Sequence, residues 1–242
     1  MRMTNRTGSV LLALVMAGGA ATTLSAQNFG LPLFTNPRVA TGVRIHADAG
    51  RNTQSVNNVD RTVVQGGLSF AIGPVGINAA VAGNLTDIKN CSGGGANCNV
   101  NTVVSAGALA MIKVYGGGRR NVSVSAFGGA STDLNALDYL GVEQPKQLTI
   151  PFGVSIGYRI PLGLASLNVW AAPRMNMIKF VNCAAGDTTC DTSETKFRWA
   201  VGADLPIFRI LSARVAYDSG KIGTETVNFI GVGASIGFGG MR

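Results

Sequence analysis

Between residues 40 and 238 the chain alternates large apolar side chains with small or polar ones, in ten stretches of about ten residues each. Val43, Ile45 and Ala47 interleave with Arg44, His46 and Asp48; Phe197, Trp199, Val201 and Ala203 interleave with Arg198, Ala200, Gly202 and Asp204. A period of two puts successive side chains on opposite faces of a β-strand. Strands are predicted over 40–49, 62–72, 75–86, 101–114, 121–130, 147–160, 164–177, 196–205, 208–218 and 226–238. No run reaches the ~18–20 apolar residues of a membrane-spanning helix.

The joins have a rhythm. Those at 73–74, 116–120, 161–163 and 206–207 are short, whereas the other five run from seven to about eighteen residues and are rich in Asn, Gly, Asp and Ser. Short turns at one end and long loops at the other are the layout of a membrane barrel with periplasmic turns and outside loops. A soluble sandwich also alternates, but its polar face meets bulk water and carries Lys, Glu and Thr. Here that face is Asn78, Ala80, Ala82 and Asn84 in one strand and Ser123 and Ser125 in another, which suits a crowded lumen. The expected fold is therefore all-β, a transmembrane antiparallel up-and-down barrel of ten strands, with eight as the alternative count.

Composition agrees with this. Charged residues make up 13% of the chain, against roughly 25% in ordinary soluble domains, and mean hydropathy is +0.27. The net charge of +8 raises nucleic acid as a partner, but the cations are scattered through alternating strands, with no basic helix and no aromatic RNA-binding motif. Residues 1–26 read as a signal peptide: Arg2 and Arg6, an apolar run from Val10 to Ala21, and Leu24-Ser25-Ala26 before the cut. Residues 27–39 follow as an irregular periplasmic segment, 40–238 as the barrel, and 239–242 as a C-terminal tail.

The last predicted strand ends Gly233-Ala234-Ser235-Ile236-Gly237-Phe238. In its organisation over residues 40–238 and in this ending, the chain resembles the small outer-membrane barrel families of Gram-negative bacteria, the OmpA-, OmpX- and OmpW-like proteins. The resemblance implies that Gly233, Ile236 and Phe238 form the signal read by the barrel-assembly machinery, and that the address is the outer membrane. Two features depart from that signal: Gly231 stands where a polar residue is usual, and four residues follow the aromatic.

Four cysteines form two matching pairs, Cys91 with Cys98 and Cys183 with Cys190, each inside one predicted outside loop. In an exported chain they read as disulfides closed locally, with a bridge between the loops as the other connectivity. Zinc would ask for closer spacing, and nothing calls for a cofactor. Inward positions on this strand assignment include Arg44, His46, Asp48, Lys113, Arg159, Arg174, Arg198, Asp204, Arg214 and Asp218. They make either a basic lumen that passes small anions or an internal ion-pair network that plugs it. His46 is the sole histidine; placed near the outer rim with Asp48 and Asp218, it could activate water, as in the outer-membrane protease family, none of whose motifs occurs here. Asp60, Asp87, Asp133, Asp138, Glu143, Asp187, Asp191 and Glu194 are assigned to the outside loops. The leading expectation is a non-enzymatic barrel embedded in outer-membrane lipid, with a structural or surface-interaction role and loops free to meet extracellular ligands. A narrow anion-favouring channel for small solutes is the alternative, and a rim hydrolase is the distant third.

Overall fold

The computed structural model describes Asn36 and most of residues 42–238, the gaps falling in the connections between strands. The expected signal peptide, most of segment 27–39, the tail and the Cys91–Cys98 loop lie outside the described residues. Ten long strands form the wall: β1 (Gly42–Asn52), β2 (Val59–Ile72), β3 (Val75–Ile88), β4 (Val103–Gly116), β5 (Val122–Asp133), β8 (Lys146–Leu162), β9 (Ala165–Val181), β10 (Ser193–Pro206), β11 (Leu211–Ile222) and β12 (Glu225–Phe238). A two-stranded hairpin, β6 (Asp138–Tyr139) with β7 (Val142–Glu143), sits in the connection from β5 to β8.

Each wall strand pairs antiparallel with its chain neighbours, and β1 also pairs with β12, so the sheet closes on itself in ten strands. Closure leaves no edge with unpaired backbone groups, the condition for spanning a bilayer with strands. A strand of 12 residues such as β5 is about 40 Å long and, tilted by roughly 40°, rises about 30 Å, one hydrocarbon thickness.

The two faces separate as the alternation requires. Outward side chains are large, apolar and exposed all round the wall, among them Ile45, Leu68, Ile77, Val81, Phe152, Ile156, Phe197, Val215 and Val232. Inward ones are small, polar or charged and buried: Gln65, Asn78, Ser105, Ser125, Ser155, Arg174 and Asp218. This inverts a soluble protein, whose buried face is the apolar one.

Most strand ends differ from expectation by one to four residues; β9 runs on to Val181 and β10 starts at Ser193. β1 and β2 continue outward to Asn52 and back to Val59, and β5 runs on to Asp133. β11 runs on to Ile222 and β12 starts at Glu225, so their join is two residues rather than a long loop. At most of these ends polar residues that look like loop on sequence continue the ladder beyond the apolar band. Near the turn end, a bulge between Lys113 and Tyr115 shifts the β4–β5 register.

Two lapses in the ladder flank β8. Pairing of β5 with β8 runs from Val122↔Tyr158 to Gly128↔Phe152, stops opposite Pro151, and resumes at Ser131↔Thr149. Pairing of β8 with β9 stops opposite Pro173 and runs only on either side, at Gly153↔Arg174 and Ile156↔Ala171. Proline has no N–H to give a ladder, so each lapse falls where the donor is missing.

Candidate functional site

The site is the barrel interior. On β11, Asp218 lies opposite Ala200 of β10 and Phe229 of β12. Two residues back along β10 is Arg198, which pairs in register with Arg174 of β9. Both guanidiniums turn onto the one carboxylate. Arg174 donates from Nη2 to Asp218 Oδ2, while Arg198 donates to Oδ1 from Nη2 and, at 3.2 Å, from Nε. The Asp218 and Arg174 side chains are 0% exposed, so two positive charges share one negative charge out of water. Charge-assisted hydrogen bonds of this kind offset part of the desolvation cost. Arg174 Nε and Nη1 have no hydrogen-bond partner.

A second group gathers around Asp48. His46 Nδ1 is 2.9 Å from Asp48 Oδ2, Gln65 Nε2 donates to the same oxygen at 3.1 Å, and Arg214 Nη1 is 3.4 Å from Oδ1. Arg214 continues to Asp204, with Nε at 3.8 Å from Oδ1. Asp204 in turn accepts a hydrogen bond from Asn36 and lies in the field of Arg44. The other face of His46 meets Asn78, Nε2 to Oδ1 at 3.3 Å. Both ring nitrogens are engaged by side chains, and Asn78 Nδ2 has no hydrogen-bond partner. The chain of contacts thus crosses β10, β11, β1, β2 and β3 on the lumen side.

The lumen also holds an apolar cluster. Leu109 and Met111 of β4, Phe127 of β5 and Trp170 of β9 pack together with Ala80, Ala172, Ala200 and Ala216. Toward the loop end, Val63, Ala82, Val227 and Phe229 form a smaller cluster. At both levels side chains extend into the lumen.

Large inward groups lie over glycines of the next strand. A Cβ on Gly67 would collide with the His46 ring, and one on Gly233 with the Asp48 carboxylate. Gly202 and Gly220 make the same room for Trp170 and Arg198. Close approach is why these strand positions carry no side chain.

Among the residues singled out by alternation, His46, Asp48, Arg174, Arg198, Asp204, Arg214 and Asp218 are buried and mutually engaged. Arg44 is half-buried beside them. Lys113 is half-buried at the bulge, and Arg159 is exposed near the turn end of β8, clear of the network. The rim reading of His46 and Asp218 is corrected. Both sit well inside their strands, and the His46 side chain is 0% exposed with both ring nitrogens engaged, so no bulk water reaches it for activation.

Four acids assigned to loops lie in wall strands instead, Asp87 in β3 and Glu194 in β10 among them. Asp60 belongs to β2, where Arg51 and Ser55 donate to it, and Asp133 belongs to β5, where it accepts from Ser105 Oγ at 2.8 Å and the Gln147 N–H at 3.1 Å. Ser131 and Asp133 continue the parity of Ser123 and Ser125, a signal that was available in the sequence. Leu109, Met111, Phe127 and Trp170 were missed as lumen residues because a large apolar side chain reads as outward.

Cys183 and Cys190 form a disulfide, Cα–Cα 5.9 Å, in the β9–β10 connection. Ile236 and Phe238 face outward and exposed at the end of β12, and Gly233 backs onto Asp48. Replacing both Cys183 and Cys190 with serine is expected to leave barrel unfolding unchanged while speeding proteinase K cleavage between residues 182 and 193, read by mass spectrometry.

No family model matches the chain, and no curated protein matches it in sequence. Solved structures do match in shape. The transport unit of the autotransporter AIDA-I from Escherichia coli is 13% identical, with 92% of this chain and 98% of that one covered at a TM-score of 0.53. The β domain of the Bordetella autotransporter BrkA is 12% identical, with 82% and 100% covered at a TM-score of 0.50. At such identities the likeness concerns architecture alone. The chain has a closed, all-antiparallel β-barrel of ten strands, the fold it shares with these autotransporter domains.

Proposed function

We propose that this is an integral outer-membrane protein with a structural or surface-interaction role, whose lumen is a packed core rather than a conduit. Residues 1–26 direct export, and the β12 ending with Gly233, Ile236 and Phe238 presents the assembly signal to the barrel-assembly machinery. The loops, stapled at Cys183–Cys190 and on this reading also at Cys91–Cys98, face the outside and meet extracellular ligands. What carries the reading is the lumen itself. Buried ion pairs around Asp218 and Asp48 share the lumen with buried polar side chains such as Ser105, Ser125 and Gln147 and with the apolar cluster of Leu109, Met111, Phe127 and Trp170, while the outward face is an apolar belt suited to lipid. No chemistry is assigned to it, since its one histidine is locked between Asp48 and Asn78.

Planar bilayers test this. The purified barrel is expected to give no stepwise current at 100 mV, and discrete channels would overturn the packed-core reading. The narrow anion-favouring channel draws support from the two-to-one excess of arginine over aspartate at Asp218 and from Lys113 and Arg159 toward the turn end. Under that reading currents favour chloride over potassium, and Lys113→Glu with Arg159→Glu, both outside the buried network, reverses the preference.

A further inference from the structure

Beyond the apolar belt, at the loop end, one side of the outer wall carries cations alone. Lys146 of β8, Lys179 of β9 and Lys221 of β11 share the outward parity of Phe152, Met175 and Val215 on their own strands. Among the described residues, no acid has that parity on β8, β9, β10 or β11. Glu194 of β10 has the luminal parity of Arg198 and is paired with Lys196 at 3.2 Å. Across the barrel the outward charges are mixed: Arg51 is paired with Asp60 at 3.0 Å, and Asp87 adds a further acid on β3.

The ladders place the three lysines. Lys146 is opposite Val181 and Lys179 is opposite Leu148, which makes the two diagonal neighbours, about 7–8 Å apart at Cα. Lys179 is also opposite Ser193 of β10, and Thr195 follows on the same outward face. Lys221 comes one step beyond the pair Arg198↔Gly220, level with Phe197. It therefore lies about 13 Å nearer the turn end than Lys179, four residues along the strands. Lys146 gives one of its three protons to the Leu134 carbonyl at 2.8 Å, while Lys179 and Lys221 are exposed. Toward the turn end the same face becomes apolar, with Leu148, Met177, Phe197 and Trp199.

Resting on the membrane reading above, we propose that this lysine face binds the phosphates of anionic lipid in the loop-side leaflet. Its height is where headgroups lie, and the acyl chains of a lipid held there continue down the apolar face of β8 to β11. The single sign of charge argues for a phosphate partner, because neighbouring ammonium groups repel one another and an anionic headgroup relieves the repulsion. A lipid rather than a free anion fits, because the lysines point away from the lumen and border the belt.

The chain has two tryptophans, and the outward one reports on this face. Trp199 packs against Tyr217 with ring centroids 5.6 Å apart, two residues below Phe197 on β10. Trp170→Phe leaves Trp199 as the sole fluorophore. This barrel is reconstituted in phosphatidylcholine vesicles containing a minor fraction of brominated-acyl phosphatidylglycerol or, in a second arm, of brominated-acyl phosphatidylcholine. Quenching by the anionic lipid is expected to be at least twofold the stronger. The preference is expected to vanish when Lys146, Lys179 and Lys221 are all changed to Gln, and in 1 M NaCl, where screening shortens to about 3 Å. It is expected to survive their change to Arg. The parent barrel, in which luminal Trp170 adds a constant background, repeats the comparison, and heat-modifiable migration on gels confirms that each variant is folded. Equal quenching in the two arms, or a preference that persists in the triple Gln variant, overturns the proposal and leaves the membrane reading standing. Trp199 unquenched in both arms would show that the barrel is not in the bilayer, and both would fall.

Discussion

Asp218→Asn is expected to destabilise the barrel by about 3–5 kcal/mol, the range for breaking a buried ion pair by removing one partner. The variant leaves Arg174 and Arg198 facing one another with no carboxylate between them, in a lumen where the Arg174 side chain is 0% exposed. Both guanidiniums lose their counter-charge, and the desolvation of the pair is left uncompensated. A triple change, Asp218→Leu with Arg174→Met and Arg198→Met, removes charge and demand together and is expected to lie within about 2 kcal/mol of the parent. Urea unfolding in lipid vesicles, followed by tryptophan fluorescence and by heat-modifiable migration on gels, measures both. An Asp218→Asn barrel as stable as its parent would mean that water or ions already reach the triad, and the packed lumen would be wrong.

On the other face, a lysine scan is expected to show a depth profile. Val81 lies midway along β3, 53% exposed, while Val75 begins the strand at the turn end, 47% exposed. By exposure alone the two sites are equivalent, and in a soluble protein a lysine at either would change stability by less than about 0.5 kcal/mol. In a bilayer, Val81→Lys is expected to cost about 2–4 kcal/mol and Val75→Lys about 1 kcal/mol or less, because the penalty falls from midplane to interface. Equal and small costs at both positions, measured by the same unfolding assay, would argue for a soluble barrel.

Much of the wall was legible from periodicity, because alternation and turn residues are local properties. Strand ends were read short on the loop side. Asp60, Arg61 and Ser131 to Asp133 are polar, and polar residues in series look like loop until something supplies their partners. Those partners arrive through closure: Asp133 meets Ser105 from β4 and the Gln147 backbone from β8. Which inward charge meets which was beyond local reading. Arg174 and Asp218 are 44 residues apart, and their meeting depends on the stagger of β9, β10 and β11, which parity does not encode. Parity named the inward charges but not the inward aromatics. Phe127 and Trp170 show that a lumen of this size also wants apolar volume.

The glycines beneath His46, Asp48, Trp170 and Arg198 carry a consequence for how such a wall can vary. Each is a notch cut for one particular neighbour, so the pair behaves as a single unit of volume. Filling Gly220 alone would unseat Arg198, and trimming Arg198 alone would leave a hole. Changing both together, for instance to alanine and a shorter side chain, keeps the sum. Drift in the interior therefore proceeds by coupled exchange between adjacent strands, while outward positions, wetted only by fluid hydrocarbon, are free to trade one apolar residue for another singly.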